Sequence, residues 1–375
     1  MLLARVRFPL LGLGIAALLC AVWGGLLRFG WSLPGGRASL GELHGPLMVF
    51  GFLGTVISLE RAVALRRAWG YLAPAGTIAG ASLLLAGARE GAGELVLLLA
   101  GCVLAGLLLV VVRSHATASS ATLLLGALLW VAGDALWLHR DPLVQVVPWW
   151  TGFLVLTIVG ERLELAALGR LGSGGRAAFA ALTLLLLGGL SLSAAGAGAG
   201  MRVAGAALLG YALWLARFDV ARRTVRRRGL PRFVALALLP GYAWLGVGGV
   251  LWLRDGAAVA GFAHDAQLHA LFVGFVFSMI FGHAPVIFPG VLGVAVPFRR
   301  VFYVHLALLH LGVALRVGGD LAGGYDAARR GGLVNAAAIG LFLLATVASA
   351  ALARRGRGAP APALARPGQP AGAGR

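Results

Sequence analysis

Apolar runs of about 18 or more residues follow one another along almost the whole chain, separated by short stretches where arginine, acids, glycine and proline collect. At ~1.5 Å of rise per residue, about 20 residues cross a ~30 Å hydrocarbon core, so each run predicts a membrane-spanning helix. About twelve are expected, over 8–28, 42–65, 71–88, 94–113, 117–138, 143–168, 177–197, 201–217, 232–253, 265–289, 301–320 and 332–353. The fold class is therefore all-α, a polytopic membrane bundle forming a single transmembrane domain over 1–353. The remaining 354–375 is Ala, Pro, Gly and Arg, too poor in large apolar groups to fold, and predicts a disordered cytoplasmic tail.

The inner halves of the second, sixth and tenth segments resemble one another. Gly51-Phe52-Leu53, Ile57 and Glu60-Arg61 in the second correspond to Gly152-Phe153-Leu154, Ile158 and Glu161-Arg162 in the sixth. In the tenth, Gly274-Phe275 anchors the comparison and His283 takes the polar position, eight residues after the phenylalanine in all three. The period is four helices, which predicts a pseudo-threefold repeat with the three segments running in the same direction. Glycine- and leucine-rich helices also resemble one another by composition alone.

Composition fixes the solvent. With 60% hydrophobic and 12% charged residues, the chain is too apolar to stay dispersed in water, and its partner is the lipid bilayer. A net charge of +19 would suggest nucleic acid in a soluble protein, but here the arginines sort by loop. Arg5 and Arg7, Arg66 and Arg67, Arg113, Arg176, the run from Arg217 to Arg232, and Arg299 and Arg300 all fall on one side. That side is expected to be cytoplasmic and to hold both termini, in a bacterial inner membrane; no nucleic-acid role is expected. The first segment exceeds a signal-peptide core and is expected to remain as an anchor. Cys20 and Cys102 lie inside apolar runs, where a thiol is packing.

Ionisable groups inside a bilayer are costly unless paired or ligating, so they locate candidate chemistry. His44, about two residues into the second segment, and His269, about four into the tenth, sit within about one helical turn of the same external depth. Two imidazoles so placed can coordinate one iron from two sides. His283 lies fourteen residues beyond His269 and belongs to a second, inner level with Glu60, Glu161 and His305, with His310 farther along its helix. His283, His305 and His310 are candidate metal ligands, copper among the metals. Glu60-Arg61 and Glu161-Arg162 read more simply as ion pairs, and His115 and His139 as hydrogen-bonding groups at helix ends.

The stretch His44-Gly45-Pro46-Leu47-Met48-Val49-Phe50 resembles helix II of heme-copper oxidase catalytic subunits, and His264-Asp265 to His269, followed by Phe277-Ser278-Met279, resembles their helix X. That resemblance implies twelve helices in three arcs of four, with His44 and His269 as axial ligands of heme b. The sixth and seventh segments contain no histidine, so the oxidase iron-copper centre is not expected. Over most of the hydrophobic chain the closer resemblance is to NnrS-like proteins, twelve-helix membrane proteins with heme and copper, linked to nitric oxide and nitrosative stress. It implies a heme-binding protein, a candidate heme-dependent oxidoreductase, meeting an electron donor or small-molecule ligand. The alternative is a secondary transporter of a small solute without heme, for which repeats and buried polar groups are equally expected.

Overall fold

The computed structural model describes residues 2–34, 38–168, 171–256 and 258–357, and among them long helices account for nearly everything, with no strand. The helices are α1 (Leu2–Arg28), α2 (His44–Leu65), α3 (Ala68–Leu85), α4 (Ala92–Ser114), α5 (Ala118–Leu138) and α6 (Leu143–Leu168). They continue as α7 (Ser173–Ala194), α8 (Gly200–Phe218), α9 (Leu230–Asp255), α10 (Gly261–Leu292), α11 (Phe302–Leu321) and α12 (Tyr325–Arg357). The expected all-α polytopic bundle is what the chain forms. Eleven of these helices are long and apolar enough to cross a membrane; α8 is the exception, because Arg202 and Arg217 stand near its two ends. It nevertheless packs along α7 and α9 as part of the same bundle. The tail expected over 354–375 begins as the last turn of α12, and from 358 onward it lies outside the described residues.

Without water to drive apolar surfaces together inside a bilayer, helices associate by close packing, and small residues set how close they come. Gly205 of α8 and Gly249 of α9 show this reciprocally. A Cβ on Gly205 would lie 2.5 Å from the backbone N of Leu253, and one on Gly249 would lie 2.5 Å from the backbone N of Leu209. Backbone cannot yield as a side-chain tip can. Gly249→Leu is therefore expected to pry α8 from α9 and cost about 1–3 kcal/mol, read as a lower unfolding temperature in detergent. Gly188→Leu on α7, where a Cβ meets nothing within 4 Å, is the matched control and should leave that temperature unchanged.

The helices α2, α6 and α10 form the centre. Each has 67% of its apolar span buried, against 28–50% for the other candidate spans. They touch pairwise: the Phe52 and Phe277 rings stack at 6.1 Å between α2 and α10, Arg61 of α2 pairs with Glu161 of α6, and Arg162 of α6 meets His283 of α10. The Arg61–Glu161 pair joins two helices, so the expected pairing of each glutamate with its own neighbouring arginine is corrected here.

Two interruptions of the ordinary helix frame the centre. After His44, α2 passes into a π-helical stretch, Leu47–Gly54, and after His269, α10 does the same over Ala270–Phe277. Each stretch is eight residues long, far more than a single bulge. Counted from the two histidines, Phe50 matches Phe275 and Phe52 matches Phe277. The stacking of Phe52 on Phe277 follows this count, two residues away from a register that pairs Phe52 with Phe275.

Candidate functional site

A cavity of about 510 Å³ lies where α2, α6 and α10 begin and α1 and α11 end. Its volume is in the range of sites that take an organic ligand. The sequence supplies an apolar, aromatic wall there, with Trp150, Phe272 and Phe277, and a few convergent polar groups. His44 and His269, the two imidazoles singled out in the sequence, both line it.

Their hydrogen bonds fix the tautomer of each ring. His44 Nδ1 is 2.6 Å from the carbonyl oxygen of Ala21 on α1, and His269 Nδ1 is 2.9 Å from the carbonyl oxygen of Asp265 one turn earlier on α10. A carbonyl oxygen only accepts, so each Nδ1 donates its hydrogen and each Nε2 keeps its lone pair. Neither Nε2 has a hydrogen bond among the described residues. Metal-bound histidines are oriented in this way, with the far nitrogen tied to a carbonyl or carboxylate.

The ring of His44 fits because Gly25 of α1 has no side chain. A Cβ at Gly25 would lie 2.8 Å from His44 Cε1 and 2.9 Å from its Nδ1. On the other side of the cavity, the Asp265 carboxylate stands 3.3 Å from His269 Nδ1 and accepts two bonds from Arg316 of α11, at 2.6 Å from Nε and 3.0 Å from Nη2. Arg316 is held in turn by the Phe29 ring, 3.6 Å from its guanidinium carbon. Asp320, one turn along α11, comes within 3.9 Å of Arg316 Nε.

Sequence reasoning missed two residues of this site. His264 lines the cavity too, with Nδ1 tied to the Ala258 carbonyl at 2.7 Å, and Arg28 lines it from the end of α1. The pairing of Asp265 with Arg316 was not assigned from the sequence either. In α6, the position equivalent to His44 in the repeat is Gln145, so the third central helix brings no imidazole.

Residues 7–351 match a domain of unknown function, DUF8744. The chain belongs to the DUF8744 family. No curated protein matches it.

The other candidate metal ligands of this DUF8744 chain do not converge. His283 donates from Nδ1 to the Met279 carbonyl at 2.8 Å, and Arg162 Nη1 occupies its Nε2 at 3.3 Å. Trp244 donates to His310 Nδ1 at 3.2 Å, which leaves the Nε2 hydrogen for Ser278 Oγ at 3.5 Å. Each of these imidazoles has its lone pair engaged. His305 is fully buried with both nitrogens unpartnered among the described residues, inside the rings of Phe281, Phe302 and Phe342 at 4.9–5.4 Å. Among the described residues, no three His, Cys, Asp or Glu side chains gather into a metal-holding group.

Proposed function

We propose that this protein is a heme-binding integral membrane protein that holds heme b between His44 and His269. The observation that carries the proposal is a single one: two imidazoles from α2 and α10, each with Nδ1 tied down and Nε2 free, line one aromatic cavity of about 510 Å³. Phe and Trp side chains line the cavity and suit the apolar faces of a porphyrin, and Arg28, also on its lining, is a cation able to pair with carboxylate side groups. Bound there, heme would provide a one-electron couple near one membrane surface.

The chain's own residues do the rest. His44 and His269 would orient the ring plane, Trp150, Phe272 and Phe277 exclude water, and the Asp265–Arg316 pair keeps His269 in its donating orientation. By the arginine distribution, the cavity faces outward from a bacterial inner membrane, and both termini are cytoplasmic if α8 crosses with the other eleven helices. This reading keeps the chain beside NnrS-like proteins, in redox or nitric oxide and nitrosative-stress physiology, with an external electron donor or small ligand as its partner. The two-imidazole arrangement favours electron transfer or sensing over oxygen chemistry. Copper enters no part of it, since His283, His305 and His310 stay apart.

Protein purified in mild detergent should show a Soret band, a reduced-minus-oxidised spectrum of a low-spin bis-imidazole heme, and a b-type pyridine hemochrome near one per chain. A colourless protein, after expression with excess heme precursor, would instead leave the transporter alternative standing.

A further inference from the structure

The two imidazoles are held in unequal ways. His269 stands nine residues into α10, and its Nδ1 faces both a carbonyl oxygen and a carboxylate that is itself locked by a bidentate arginine. Arg316 is only 6% exposed and is pressed against Phe29, so this support cannot drift. A carboxylate behind the imidazole raises its donor strength toward a metal. His44 has a neutral carbonyl in that place.

The surroundings of His44 leave it room to leave. A Cβ on the adjacent Gly45 meets nothing within 4 Å, so there is open space beside the backbone of His44. A displaced His44 would vacate about one imidazole's volume. Val22 and Val49 line the same cavity, an apolar setting that suits a small uncharged guest.

We infer that His269 is the permanent ligand and His44 the exchangeable one, which gives way to a small neutral diatomic molecule at the same cavity. This rests on the heme reading above. In the exchange the bond from the metal to His44 Nε2 breaks and one to the incoming molecule forms; no electron or proton changes hands.

Carbon monoxide added to the dithionite-reduced protein is the probe. The wild-type adduct should match in its optical and resonance Raman spectra the adduct of His44→Ala, which retains His269, and not that of His269→Ala. His44→Ala should also bind the gas about tenfold or more faster, with imidazole in the buffer restoring the wild-type spectrum before the gas is added. A wild-type adduct matching His269→Ala, or a wild-type protein that forms none, overturns the inference. Asp265→Asn keeps both histidines and gives a second measurement: with a weaker donor opposite, the C–O stretch of its adduct should move to higher frequency, and an unchanged stretch counts against the inference. Absence of a Soret band before any gas is added is a separate result, the failure of the heme reading itself.

Discussion

Gly25→Val protein is expected to fold and insert but to hold heme more weakly, although neither histidine has been touched. The Cβ it introduces would sit 2.8 Å from His44 Cε1, well inside contact distance, and the valine methyls would extend farther into the ring. The imidazole must rotate or withdraw, and either motion breaks its 2.6 Å bond to the Ala21 carbonyl and turns Nε2 away from the cavity. Disturbing what orients a metal-bound histidine commonly costs about 10–100-fold in affinity, and direct displacement of the ring belongs at the upper end of that range. The comparison that isolates the cause is Gly12→Val, on the same helix but away from the cavity, where a Cβ meets nothing within 4 Å and heme retention should match wild type. Hemin titration of apoprotein, followed at the Soret band, measures both. Equal affinities for Gly25→Val and wild type would mean that His44 is not a ligand.

The contrast between these two glycines also marks what the sequence could and could not tell. Hydropathy was enough to lay out the helices, because a lipid-solvated bundle must satisfy its backbone within each segment, and length and polarity then decide. It was weakest at α8, where Arg202 and Arg217 dilute an otherwise apolar helix that its neighbours cover. His44 and His269 stood out because a polar group at matched depth on two helices is rare. What lay beyond reach was everything that depends on one helix meeting another. Nothing near Asp265 in sequence points to Arg316, fifty-one residues on, and nothing near Gly25 points to His44. The π-helical stretches have no periodicity of their own in so apolar a run, so a comparison of the repeats anchored on Gly-Phe dipeptides slips by two residues against the one the stacked phenylalanines display. His283 and His305 were grouped by depth, but depth does not specify which side of a helix a residue occupies, and their neighbours differ completely.

The same limit applies to the largest stability effect in the molecule. Asp219 closes the C-terminal end of α8 and accepts from Arg162 of α6 at 2.6 Å and 2.8 Å, while the side chains are 0% and 5% exposed. Its Oδ1 also accepts from the backbone N–H of Ala221 at 2.7 Å. Taking such a pair out of water is expensive, and the pair itself earns little net stability; removing one member is different, because the other charge stays behind. In Asp219→Ala, Arg162 would keep its contacts with His283 and the Tyr242 hydroxyl, neither of which has a negative charge to offer. The expected loss is about 3–5 kcal/mol of unfolding free energy, measured by denaturant or thermal unfolding in detergent. Arg162→Leu/Asp219→Ala should recover a good part of it by removing the stranded guanidinium, so the double variant must be more stable than Asp219→Ala alone. If the single variant instead unfolds like wild type, water or lipid headgroups reach Arg162 and the inner end of the bundle is open. The two sites lie at opposite ends of α6, so whatever folded protein remains should keep the heme spectrum of wild type. A change in that spectrum would show the two ends of the central helices to be coupled.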